Sequence, residues 1–90
     1  MKQIHIICKG RVQGVFFRAR TRDKAVDLGI KGWVKNLDNG DVEVLAQGTE
    51  AQLAQLIGYC NKGPDIARVD NVEIKQEEIK KEYEDFIILA

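Results

Sequence analysis

From Gln3 to Lys9 apolar and polar residues alternate, with Ile4, Ile6 and Cys8 on one side of an extended chain and His5 and Ile7 on the other. A period of two predicts a strand with one buried face, and His5 is expected to point from it toward solvent. From Arg18 the period changes. Thr21, Ala25 and Leu28 recur at helical intervals among Arg20, Arg22, Asp23, Lys24 and Asp27, and Gly29 suits the left-handed residue that closes a helix. Two further runs, Ile30 to Leu37 and Asp41 to Gln47, flank Asp38-Asn39-Gly40, and an Asn-Gly pair between apolar runs predicts an antiparallel hairpin. In its second arm Val42, Val44 and Ala46 share a face, opposite Glu43, Leu45 and Gln47.

Thr49 with Gln52 three residues later forms a capping box, and Leu53, Leu56, Ile57 and Cys60 follow at the spacing of one helical face until Gly63-Pro64 ends the helix. Arg68 to Ile74 is predicted to be a fourth strand and Phe86 to Leu89 a short fifth. Between them Lys75 to Asp85 is rich in Glu and Lys but has few apolar positions to bury, so it is expected to be a loop. The order is βαββαβ with an added C-terminal strand. That predicts an α+β sandwich of the ferredoxin-like kind, with two helices on one face of a mixed, mainly antiparallel sheet.

Ninety residues leave room for one domain, residues 1–90, and one core. With 44% hydrophobic residues, and 14 basic side chains matched by 14 acidic ones, the chain has the composition of a globular protein and no excess of cations. That balance argues against nucleic acid or an anionic membrane as partner, because both are recognised through a basic face. The apolar run near Met1 is too short for a signal segment or a membrane span, so a cytoplasmic protein is expected. Cys8 and Cys60 could be bridged across the core, but in a reducing compartment two buried free thiols are expected. Two isolated Cys and the single His5 lack the spacing of a zinc site, and no metal or other cofactor is expected. The chain has no Ser, which removes Ser nucleophiles. Cysteine phosphatases need Arg six residues after Cys, whereas Gly14 and Ile66 stand there.

The candidate chemistry lies between the first strand and the first helix, in Gly10-Arg11-Val12-Gln13-Gly14-Val15-Phe16-Phe17-Arg18. Glycines in such a turn let backbone N–H groups converge at a helix N-terminus, where the helix dipole also favours an anion. Arg18 in the first helical turn could hold a phosphoryl group bidentately. The stretch lacks the Gly-Lys-Ser/Thr of a nucleotide-binding loop and the glycine spacing of a dinucleotide fingerprint. A second element, Gly32-Trp33-Val34-Lys35-Asn36, ends a strand just before the hairpin turn. Whether Asn36 reaches the first element depends on the order of strands in the sheet, which spacing does not fix.

Together the two elements resemble the paired signature of the acylphosphatase family. Gly48, Gly63-Pro64, Ala67-Arg68-Val69-Asp70 and the Phe86 strand also resemble its pattern, and the length matches one such domain. The resemblance implies hydrolysis of the carboxyl-phosphate anhydride bond of a small acyl phosphate by direct attack of water. Gln13, Gly14, Val15, Phe16, Phe17 and Arg18 would receive the phosphoryl oxygens. Arg18 would stabilise the transferring group and Asn36 would hold the water. A carboxylate is a good leaving group and phosphoryl transfer is largely dissociative, so no strong base, phosphoenzyme or metal ion is required. The resemblance also favours a monomer. Phe16 stands where many relatives carry Gly, which makes the mouth of the loop stiffer or more apolar. Lys35 is expected to be a solvated strand residue, and Trp33 and Phe17 to pack.

Other functions of this architecture remain open at the level of sequence. An RNA-binding module would need exposed aromatics on its central strands, where this chain has His5 and Ile7. A regulatory small-ligand domain, or a silent acylphosphatase-like module of the kind found in larger carbamoyl-transfer proteins, would keep the fold without the hydrolysis.

Overall fold

The computed structural model describes residues 1–89. Its elements are β1 (Lys2–Arg11), α1 (Phe17–Leu28), β2 (Lys31–Asn36), β3 (Val42–Gly48), α2 (Glu50–Lys62), β4 (Arg68–Glu77) and β5 (Phe86–Ile88). The strands form one sheet in the order β4-β1-β3-β2-β5. Every pairing is antiparallel except β2 with β5. Helix α1 packs on β2 and β5, α2 packs on β4, β1 and β3, and the helices pack on each other. The predicted architecture is the observed one.

Alternation in the strands decides which face the helices cover. Ile4, Ile6 and Cys8 of β1 pair with Ala46, Val44 and Val42 of β3, and Val44 pairs in turn with Val34 of β2. All of these are buried, together with Phe17, Thr21 and Ala25 of α1 and Leu53, Leu56 and Cys60 of α2. Each large aliphatic side chain so buried contributes about 1.5–3 kcal/mol. Cys8 and Cys60 are both free and buried in the core between β1 and α2.

The expected capping box is present: Thr49 Oγ1 accepts from the Gln52 N–H at 3.2 Å, and Gln52 Oε1 accepts from the Thr49 N–H at 2.8 Å. Gln52 Nε2 also donates to the Leu28 carbonyl at 2.8 Å, so the start of α2 is tied to the end of α1. In the hairpin turn the Asp41 N–H donates to Asn39 Oδ1 at 3.0 Å.

Three features of the uncovered face go beyond the sequence pattern. His5 is only half exposed, because its Nε2 pairs with Glu43 at 2.5 Å and its ring meets the edge of Trp33 at 6.4 Å. Lys35 lies 3.4 Å from Glu43 and 5.3 Å above the Trp33 ring, so it is a strand-face residue, while Phe17 is core. Finally, β4 continues past Ile74 to Glu77 because its last residues pair with β1, Ile4 with Gln76 and Gln3 with Glu77.

The connection from 78 to 85 is irregular, as its composition predicts, and it runs from one edge of the sheet to the other. Buried Gln47 holds it in place. Its Nε2 donates to the Lys81 carbonyl at 2.6 Å and to Gln3 Oε1 at 2.7 Å, and its Oε1 accepts from the Tyr83 N–H at 3.0 Å. This anchoring lets β5 lie parallel to β2, with Gly32 opposite Phe86 and Val34 opposite Ile88.

Candidate functional site

Sheet order answers the question that spacing leaves open. Both β1 and β2 are antiparallel to β3, which lies between them, so they run in the same direction and end at the same edge of the sheet. Cys8 pairs with Val42 and Val42 with Asn36, which puts Asn36 level with the last turn of β1 before the glycine-containing loop. Asn36 shares its face with Val34, so it is on the helix-covered side where α1 begins.

The loop is pinned by its apolar residues. Val12 and Val15 are buried, and Phe17 enters the core as α1 starts. Gly14 and Phe16 both have left-handed backbones, with φ of 72° and 63°. Such residues bend the chain so that successive N–H groups point inward. No atom lies within 4 Å of where a Cβ on Gly14 would stand, so the need for glycine there is one of backbone conformation alone. Phe16 is the N-terminal flanking residue of α1; no side chain caps this end, and its first turn carries no acid. The opening N–H groups of α1 have no intrahelical partner and face the positive end of the dipole toward the loop.

A cavity of ≈ 280 Å³ opens at this point, lined by Val12, Gly14, Phe16, Phe17, Arg18, Ala19, Asn36 and Ile88. The structure therefore brings together Arg18, Asn36, Gly14, Phe16 and Phe17 of the residues singled out in the sequence. Gln13 and Val15 are not among the lining residues. Val15 is buried beneath the loop, and Gln13 Nε2 donates to the carbonyls of Leu37 at 2.7 Å and Asp41 at 2.8 Å. Gln13 thus fastens the loop to the hairpin that carries Asn36.

The guanidinium of Arg18 is half-buried, and its Nη1 donates to the Leu89 carbonyl at 3.4 Å. That carbonyl is fixed because the Leu89 N–H donates to the carbonyl of Val34 at 2.9 Å. Ile88 and Leu89 were legible in the sequence as part of the fifth strand but carried no signal of a place in the site. They join the site only because β5 pairs beside β2. The Oδ1 atom of Asn36 is buried without a hydrogen-bond partner. An unpaired buried polar oxygen costs about 1–3 kcal/mol of folding stability; Thr21 Oγ1 within α1 is likewise unpaired, and what distinguishes Asn36 is that it also lines the cavity.

The lining contains no Asp, Glu, His or Cys, and among the described residues no three such side chains gather as metal ligands. The site's own charge is the guanidinium of Arg18. A helix N-terminus, converging amides, a guanidinium and one free amide form a receptor for a tetrahedral oxyanion with a polar group beside it. No helix is long and apolar enough to cross a membrane.

Comparison with known proteins agrees with this chemistry. A family model described as Acylphosphatase matches residues 4–88. The chain is 44% identical to an acylphosphatase of Syntrophus aciditrophicus over 99% of its own length and 93% of the relative's. It is 39% identical to one from Methylococcus capsulatus, over 99% and 97%. Its structure matches the crystal structure of the acylphosphatase of Bacillus subtilis with a TM-score of 0.96 at 34% identity, covering 100% of both chains. It matches that of Coxiella burnetii with a TM-score of 0.93 at 41% identity, covering 98% and 92%.

Proposed function

Given that the chain belongs to the acylphosphatase family, hydrolases of acyl phosphates, we propose that Arg18, the amides of the 13–18 loop and Asn36 perform the hydrolysis by a single displacement at phosphorus. The observation that carries this reading is the unpaired amide of Asn36, held in the same cavity as Arg18 at the uncapped end of α1. The loop N–H groups and the guanidinium of Arg18 bind the phosphoryl oxygens and stabilise the charge that spreads over them as the bond to the carboxylate lengthens. The Asn36 amide holds a water in line with the leaving oxygen, which converts a bimolecular encounter into attack within one complex.

The water oxygen bonds to phosphorus and the phosphorus–acyl oxygen bond breaks. The carboxylate departs with the electron pair, and the water proton passes to an oxygen of the substrate's own phosphoryl group. No side chain changes its charge, which suits a cavity with no titratable group besides Arg18. Gln13 acts on the distance between the two halves of the site and not on the substrate. On this reading residues 1–90 form a single-domain cytoplasmic monomer that needs no metal, with Cys8 and Cys60 both reduced.

Hydrolysis of benzoyl phosphate in ¹⁸O-labelled water, with a chelator present, tests the reading. Label is expected in the phosphate and not in the benzoate. Arg18→Ala is expected to lower kcat/KM roughly 10³-fold with unchanged circular dichroism, the scale found for arginines that stabilise phosphoryl transfer. Label in benzoate, or an Arg18→Ala variant with near wild-type rate, would sink the mechanism.

A further inference from the structure

A second concavity adjoins the phosphoryl site. It has a volume of ≈ 490 Å³ and lies between the start of α1, the end of α2 and the turn that follows. Its apolar lining is Val15, Phe16, Tyr59, Pro64 and Ile66, and Arg20, Lys62 and Asp65 add charges of both signs. Phe16 is the residue common to both cavities. We propose that this groove is the acyl subsite, and that it selects acyl phosphates with an aryl or similarly bulky apolar acyl group. The inference rests on the phosphoryl site described above and adds the class of substrate it prefers.

Three observations converge. Phe16 is 70% exposed and Ile66 57% exposed, and both line the one groove. Phe16 is also, among the described residues, the non-glycine residue with positive φ. Holding a bulky residue there stores strain, and exposing its ring forgoes burial, so the fold gains from neither. The third observation is direction. Asn36 lines the phosphoryl cavity and is not among the residues lining the groove. In a displacement with attacking and leaving oxygens in line, water held at Asn36 sends the acyl group away from Asn36. The groove is the concavity that adjoins the phosphoryl cavity at Phe16 without Asn36 in its lining. An acyl chain leaving the phosphoryl site therefore crosses the face of Phe16 and meets Tyr59, Pro64 and Ile66.

Such contacts hold the substrate equally before and during reaction, so they act on KM and leave kcat in place. Ile66 is exposed and remote from the phosphoryl cavity, which makes it the position to change. Ile66→Asp is expected to raise KM for benzoyl phosphate roughly fivefold to tenfold, the scale of one apolar contact in a pocket. Its kcat/KM for acetyl phosphate, whose methyl group does not reach the groove, should stay unchanged, as should inhibition by inorganic phosphate. Ile66→Trp, which extends the apolar wall, should lower KM for benzoyl phosphate with the same two controls unmoved. Equal changes for both substrates, or no change for benzoyl phosphate in either variant, overturn the subsite. If the wild-type protein hydrolyses neither compound, the phosphoryl site itself falls. If it hydrolyses both and the ratio ignores position 66, only the groove falls.

Discussion

Asn36 provides a test in which stability and activity should move in opposite directions. Its Oδ1 is buried and unpartnered, and its neighbours along the strand face, Val34 and Gly32, belong to the core. Asn36→Leu keeps the volume and shape of the side chain while removing the unpaired oxygen. Relief of that desolvation is worth about 1 kcal/mol or somewhat more, since replacing a buried polar group by an apolar one of the same shape is neutral to favourable. For a domain of this size, about 1 kcal/mol corresponds to a rise in Tm of roughly 4–8 °C. The same change removes the group that holds water. Loss of one such positioned hydrogen bond costs about 10²–10³ in kcat, or about 2.7–4 kcal/mol of transition-state stabilisation. Thermal unfolding followed by circular dichroism, alongside hydrolysis of benzoyl phosphate, reads both quantities on one sample. A variant that keeps more than about a tenth of the wild-type rate refutes the water-holding role. A variant that loses both stability and activity shows that the amide has a structural partner after all.

Other consequences can be checked more briefly. Gly63 follows α2 with φ 67° and ψ −175°, a conformation open in practice to glycine alone, and a Cβ there would stand 2.7 Å from Phe17 Cε2. Gly63→Ala should therefore cost about 2 kcal/mol or more, seen as a lower urea midpoint. The Cys60 thiol is pushed well above its ordinary value of 9.0 by its hydrogen bond to Cys8 and by burial, and burial raises Tyr59 above 10.0. In both cases the fold favours the protonated form, so their contribution is complete below the ordinary values and is lost as pH rises past them. Tm should be flat up to pH 9.0 and fall above it. Cys60→Ala should be less stable at neutral pH yet show a shallower alkaline fall. Because both thiols are buried, iodoacetamide should label neither until the chain is unfolded.

Local sequence carried the elements because each is specified by near neighbours. Alternation at Ile4, Ile6 and Cys8, the Thr49–Gln52 box and the Asn39-Gly40 turn all act within a few residues, and the structure has each of them. Sheet order is set by contacts that no local pattern records. Insertion of β3 between β1 and β2 makes their ends coincide, and placement of β5 beside β2 depends on Gln47 gripping a polar loop from 34 residues away. In sequence Gln47 is one more polar residue on the mixed face of a strand. Its burial and three hydrogen bonds exist only once Lys81 and Tyr83 cross above it. The place of Ile88 and Leu89 in the site was hidden for the same reason.

The site was legible in part through resemblance and in part not at all. Arg18 and Asn36 were identifiable as residues, but what sets them apart is a property of the assembled molecule. A well-folded chain of this size should cap its helices, pair its buried amides, cover its large aromatics and reserve positive φ for glycine. This one departs from all four rules, and although Thr21 Oγ1 is also unpaired within α1, four departures meet around one loop: no side chain caps α1, Asn36 Oδ1 has no partner, and Phe16 is both exposed and left-handed. Each departure alone costs about a kilocalorie or so and would be unremarked. Their coincidence at the edge where β1 and β2 end together is what folding cannot account for and binding can. On the proposed reading a bound phosphoryl group would supply the missing cap, an ordered water would pair with the Asn36 side chain, and an apolar acyl group would cover Phe16. The substrate, on this account, completes the structure that the chain by itself leaves unfinished.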